Sequence, residues 1–286
     1  MRKLQNTEGN NDRRTSEETD DNKLGFNKNT KMIKEVLNKS VSIIFMILLL
    51  LLWQIISSVG SIPKYILPSP IDVGITFFNI LPDIKDHLLT TLWEAIAGLV
   101  ISIIVSFVLA VLMDSINIFK KAVYPILIVS QTIPIIALAP LFIIWFGFGL
   151  TPKILVVTLV CFFPIVVSFV DGMDSVDRDL LNLMRSMKAS KLMIFRHIKL
   201  PAAIVSFFSG LRIAVTYSVM GAVIGEWLGG EKGLGVYMMR VKHSYSLDKF
   251  FATILVIVVL SMLLFKLISL IEYFSMPWKE HKEKQT

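Results

Sequence analysis

Few residues in this chain are placed to do chemistry, and each group has a plain physical alternative. Glu94 and Glu226 fall inside long apolar stretches, where an ionisable group is costly and marks a functional step by default. Both lie near the outer turn of their stretch, so for Glu94 a solvated interfacial carboxylate fits as well as a buried one. Asp174, Asp177 and Asp179 form an acidic run that could attract a cation. Acids around a helix start also complement the helix dipole, and on that reading no metal site is assigned. The single Cys161 sits in an apolar run, where one thiol can make neither an internal disulfide nor a metal centre; it is expected to pack. Gly229, Gly230, Gly233 and Gly235 around Lys232 suggest a phosphate cradle, but the sequence nowhere contains G-x-x-x-x-G-K-[ST], so no nucleotide site is expected. No nucleophile–base–acid set appears, and no catalytic residue is assigned.

What remains is a basic island, residues 178–203, carrying Arg178, Arg185, Lys188, Lys191, Arg196 and Lys199 between apolar stretches. Leu180, Leu181, Leu183, Met184 and Met187 recur at helical spacing, which predicts one apolar face. Ala189-Ser190 offers a cap for a second helix with Leu192, Met193, Phe195 and Ile198 on its apolar side. Such a stripe at a bilayer surface needs a partner, and protein on the cytoplasmic side is expected. Residues 179–189 would be the docking helix, with Leu183, Met184 and Met187 as anchor and Arg185 and Lys188 as charged rim.

The elements that carry this island are membrane spans. Mean hydropathy is +0.68 and 54% of residues are apolar, outside the range of soluble domains. Continuous apolar runs near the ~20 residues that cross a bilayer predict helices rather than a barrel. Six spans are expected, at 41–59, 87–113, 123–147, 152–171, 204–228 and 250–272. Residues 1–40 read as a disordered polar tail, 41–275 as the membrane domain and 276–286 as a second tail. Four prolines predict that 60–86 is an external loop with short helical pieces. Pro134 and Pro140 predict a kink in the third span, next to Gln131 and Thr132. Small residues Gly210, Ala214, Ser218, Ala222 and Gly225 line one face of the fifth span, which suits close helix contact and a central place in a dimeric pathway. Gln131, Thr132, Thr216 and Tyr217 are the candidate pathway residues, because polar groups in apolar spans seek protein or water. The net charge of +7 reflects basic loops on one side. With Lys153 counted among the external charges, the bias places both termini and the island in the cytoplasm; nucleic acid is not expected as a partner.

The island also resembles the EAA loop of ABC-importer permeases, E-A-A-x-x-x-G followed at a distance by I-x-L-P. Here Asn182-Leu183-Met184 stands for E-A-A and Lys188 for the glycine, while Ile198-Lys199-Leu200-Pro201 matches the tail. Leu67-Pro68-Ser69-Pro70, Ala189-Ser190, Gly210-Leu211-Arg212, Gly221-Ala222-Val223 to Glu226, and Gly233-Leu234-Gly235 follow in the same order. Residues 60–275 are thus similar to the nitrate/sulfonate/taurine branch of binding-protein-dependent permeases, which also includes importers of thiamine precursors. The resemblance implies an all-α polytopic type I importer fold, a homodimer in the cell membrane, cytoplasmic ATPase subunits that hold ATP and Mg, an external solute-binding protein and surrounding lipid. It implies no ATPase site in this chain. Leu180, Leu183, Met184, Arg185, Met187, Lys188, Ala189 and Ser190 would couple to the ATPase. A pyrimidine thiamine precursor and a sulfonate-like anion are the candidate solutes. A lysine at the glycine position is expected to keep right-handed geometry or sit in a slightly altered turn. A stand-alone secondary transporter is the rival reading; it would show internal repeats and midplane carboxylates, which the sequence lacks.

Overall fold

The computed structural model describes residues 41–59 and 63–276. The readings for residues 1–40 and for the tail from 277 lie outside these. Regular structure among the described residues is entirely helical. The chain divides at Pro63 into two units. The first contains helix α1, Val41–Val59, which matches the expected first span.

The second unit begins at Lys64. Its helix α2, Pro70–Ser115, is 46 residues long, about 69 Å at 1.5 Å per residue and far more than the ~30 Å hydrocarbon core. The expected external loop at 60–86 is therefore largely helix. Ser69 caps it by accepting from the Asp72 N–H at 3.1 Å, and Pro70 sits where a missing N–H costs nothing. Pro82 lies inside the helix, held there because Ile80 and Ile84 on either side are buried; packing overrides the breaker.

Helices α3, Asn117–Ser130, and α4, Ile135–Phe146, replace the expected kinked third span. They bend by 103° across a short break at 131–134, so the helix is broken at Pro134 rather than kinked, while Pro140 lies inside α4. Helix α5, Leu150–Asp174, is followed by α6, Arg178–Ser186, and α7, Lys191–Ile194. A π-helical segment, Phe195–Lys199, then leads into α8, Leu200–Gly229. Helix α9, Leu234–His243, precedes the last, α10, Leu247–Ser275. Five described helices are long and apolar enough to cross a membrane, six if the α3–α4 pair counts as one span.

The core forms where α5 packs along α8 and α2, with α10 against α8 and α2. The small-residue face of α8 makes this possible. A methyl at Gly210 would overlap the Pro164 carbonyl and lie 2.7 Å from Ser168 Cβ, while one at Gly225 would lie 3.1 Å from Lys153 Cα. This face therefore serves contact within the chain, with α5, and not contact with a second copy. Cys161 is buried there, its thiol donating to the Ala214 carbonyl at 3.2 Å, in keeping with a packing role.

Candidate functional site

One end of the unit carries the basic island. Asp177 opens α6 by accepting from the Asp179 N–H at 2.8 Å, so the acidic run does act at a helix start. Lys199 pairs with Asp114, which ties the island to the end of α2, and Lys120 on α3 pairs with Asp174 at the end of α5. No residue of α6 is buried. Leu183 is 57% and Met187 71% exposed, Leu180 lies beside them, and Met184 is half-buried. The apolar stripe thus faces outward instead of folding back on the helix ends.

Helix α6 ends in a paired turn. Ala189 N–H donates to the Met184 carbonyl at 3.0 Å and Lys188 N–H to the Arg185 carbonyl at 2.9 Å. This Schellman arrangement requires a left-handed residue, and Lys188 supplies it with φ of +58°. The expectation of right-handed geometry is thereby corrected: the two hydrogen bonds that close the helix outweigh the ~1–2 kcal/mol cost of a side chain there. Ser190 then caps α7, accepting from the Met193 N–H at 3.2 Å. In the second helix Leu192 and Met193, on the apolar side its spacing predicts, are exposed, while Phe195 and Ile198 are half-buried and Ile194 is buried. A cavity of about 660 Å³ lies between this turn and the end of α2, lined by Asp114, Arg185, Ala189, Lys191 and Lys199 among others.

Along α8, the face away from α5 is uncovered. It holds Ser209, Ile213, Thr216 and Tyr217, with Arg212 beside them. Arg212 reaches α10, where Nη1 lies 3.2 Å from Glu272 Oε2. A cavity of about 400 Å³ opens on this face between these residues and Phe265. Gln131 and Thr132 are exposed at the α3–α4 break and do not line that cavity.

The opposite end holds a buried charge cluster. Glu94 on α2 is fully buried and Lys153 on α5 is 5% exposed; Lys153 Nζ donates to Glu94 Oε1 at 2.6 Å. Glu226 on α8, also buried, clasps the start of α9. Its Oε2 accepts from the Gly235 N–H at 2.6 Å and its Oε1 from the Thr91 hydroxyl at 2.6 Å, while Thr91 accepts from the Leu234 N–H at 2.8 Å. Gly233 N–H donates to His87 Nδ1 at 3.0 Å. Gly233 has φ of +129°, and a methyl there would overlap the Glu226 carboxylate. Burial pushes the nearby Tyr237 phenol upward, and its ring lies 5.6 Å from that of His87. The cluster fixes helices to each other and leaves no exposed acid–base pair.

These features can be set beside known proteins. Residues 98–273 match the model of the binding-protein-dependent transport system inner membrane component family. The chain belongs to this family. It is a permease, the membrane subunit of an ABC importer, and the ATPase of such a system is a separate subunit. It is similar to the formylaminopyrimidine transport permease protein ThiX of Halalkalibacterium halodurans, 37% identical over 83% of this chain and 95% of that one. It is also similar to the putative aliphatic sulfonates transport permease protein SsuC of Bacillus subtilis, 26% identical over 81% of this chain and 85% of that one. A solved amino acid ABC transporter shares the fold, with a TM-score of 0.58 at 17% identity, covering 69% of this chain and 96% of that one.

In this permease the structure joins the candidate coupling residues, Leu180 to Ser190, in one outward-facing element, and joins Thr216 and Tyr217 in one cavity. It separates Gln131 and Thr132 from that cavity. The sequence reading counted Lys153 as a loop charge and left Glu94 open between a buried and a solvated carboxylate; the structure buries both, and Glu226 with them. A signal was present: Glu94 and Lys153 carry opposite charges near the same end of two consecutive core helices. Arg212, an ionisable group within an apolar stretch, is paired with Glu272.

Proposed function

We propose that the permease works as a homodimer in the cell membrane with both termini cytoplasmic, importing a small organic solute handed over by an external binding protein. The α6–α7 element docks in a groove of the cytoplasmic ATPase, which holds ATP and Mg. The observation that carries this is the outward apolar stripe of α6 beside Arg185 and Lys188: its exposed leucine and methionine side chains have no partner surface within α6 and suit helix-in-groove binding. Leu180, Leu183, Met184 and Met187 form the anchor, while Arg185, Lys188, Ala189 and Ser190 set the turn and rim. The uncovered face of α8, with Thr216 and Tyr217, lines the solute route against the second copy, since hydroxyls and a guanidinium disfavour lipid. Gln131 and Thr132 border the same route at the α3–α4 break. Solutes of two chemistries remain candidates: a pyrimidine, as in the name of the ThiX relative, and a sulfonate, as in that of SsuC.

Met184→Asp and Leu183→Asp test the coupling assignment. Each should abolish ATPase copurification and solute uptake while the permease stays folded in the membrane, because a few apolar anchors carry most of such an interface. Full association and uptake in both variants would refute it. A stand-alone secondary transporter would be insensitive to either change.

A further inference from the structure

We propose that the cavity between the end of α2 and the α6–α7 turn seats the phosphate headgroup of an anionic phospholipid, whose acyl chains run along an exposed stripe of α2. This site is separate from the α8 face and does not rest on the coupling assignment. Three cations, Arg185, Lys191 and Lys199, and one acid, Asp114, line this cavity of about 660 Å³. Lys199 is paired with Asp114, so that acid is already taken. No carboxylate pairs with Arg185 or Lys191 among the described residues. Arg185 Nη1 donates to the neutral Asn182 Oδ1 at 3.3 Å, which leaves its charge unbalanced. A guanidinium and an ammonium facing one space suit a phosphate: the guanidinium forks onto two oxygens and the ammonium adds a point charge. Leu183 and Met187 do not line the cavity, so an occupant leaves the outward stripe of α6 free.

The walls favour a lipid over a free phosphate. Val111, Leu192 and Phe195 also line the cavity, and an inorganic phosphate would lose water against such carbon without compensation. Four charged groups in one cavity are too costly for the hydrocarbon core, so the cavity sits at headgroup depth. From there an apolar track leads into the core. Val111 and Ser115 of α2 line the cavity. Val108 and Ile104, three and seven residues before Val111, continue the same helix face and are 52% and 58% exposed. A basic cavity at headgroup depth with an uncovered apolar track beside it has the form of an anionic-lipid seat. The local backbone shapes it too. Phe195 and Lys199 begin and end the π-helical segment and both line the cavity; such widened turns are frequent at functional sites.

The test uses the full-length permease in mild detergent, with bound lipid counted by native mass spectrometry. Phosphatidylglycerol is titrated beside phosphatidylcholine of the same acyl chains, which has the same tails and no net charge. Phosphatidylglycerol should fill one site per chain in preference to phosphatidylcholine, and a large excess of inorganic phosphate should not displace it. Lys191→Gln should weaken phosphatidylglycerol about five-fold, and adding Arg185→Gln should remove the preference. Ser115→Trp fills the cavity without touching a charge and should also expel the lipid. Arg196→Gln removes a cation of the same segment that does not line the cavity and should leave binding unchanged. Equal retention of the two lipids, or unchanged binding in either Lys191→Gln or Ser115→Trp, would overturn the site. Displacement by inorganic phosphate would overturn the lipid as occupant in favour of a soluble anion. A loss as large in Arg196→Gln as in Lys191→Gln would overturn the site in favour of diffuse attraction to a basic surface.

Discussion

Replacing Lys153 with methionine isolates the contribution of the buried ion pair. The stem that packs against Gly225 stays, and only the ammonium is lost. At 2.6 Å and an effective dielectric near 20, the pair's gross attraction is about 6 kcal/mol. Desolvation of two ions offsets most of that in the intact protein, so the pair adds little net stability. The variant is different, because Glu94 is then left with no counter-charge at zero exposure and its Oε2 already lacks a hydrogen-bond partner. Removing one partner of such a pair costs about 3–5 kcal/mol. Lys153→Met should therefore lower the thermal midpoint of the detergent-solubilised permease sharply, read by size-exclusion after a heating series. Lys153→Met combined with Glu94→Leu should recover most of the loss, since both charges are then absent and the site can pack. A Lys153→Met protein as stable as the wild type, or a double variant worse than the single, would refute the account of this cluster as a paired, buried charge site.

Three further changes follow from the same geometry. Gly233→Ala should cost more than the ~1–3 kcal/mol of positive-φ strain alone, because its methyl also displaces Glu226; hydrogen exchange across 233–243 should speed up, and unchanged protection would count against the clasp. Lys188→Gly should relieve left-handed strain, offset by the ~0.5–1 kcal/mol entropy that glycine adds, for a net gain of about 0.5–1 kcal/mol; slower proteolysis near 184–190 would register it, and faster proteolysis would contradict the Schellman turn. Gly210→Val should block the approach of α8 to α5 and abolish the folded monodisperse permease, whereas a normal elution profile would show that the two helices do not need that contact.

Composition and the long apolar runs were enough to make this a helical membrane protein, and the ordered motif series from Leu67 to Gly235 was enough to place it among importer permeases. Both signals are local: a span needs only length and hydropathy, and a motif needs only its own residues. The island at 178–203 was legible for the same reason, since an amphipathic helix with caps at Asp177 and Ser190 is written in consecutive residues. Tertiary structure decided what depends on two distant segments meeting. Proline 82 reads as a breaker until buried neighbours hold it in α2. Lysine 153 reads as a loop charge until α5 sets it against Glu94, and Glu226 reads as an interfacial acid until the Gly233-Leu234-Gly235 turn folds over it. The small-residue face of α8 announces a close contact in sequence, but only the fold assigns that contact to α5 and leaves the opposite face, with Thr216 and Tyr217, uncovered. Lysine 188 shows the same division at a single residue. Its type argues for right-handed backbone, and the two hydrogen bonds that close α6 turn it left-handed, because a propensity of about 1 kcal/mol yields to the contacts that terminate a helix.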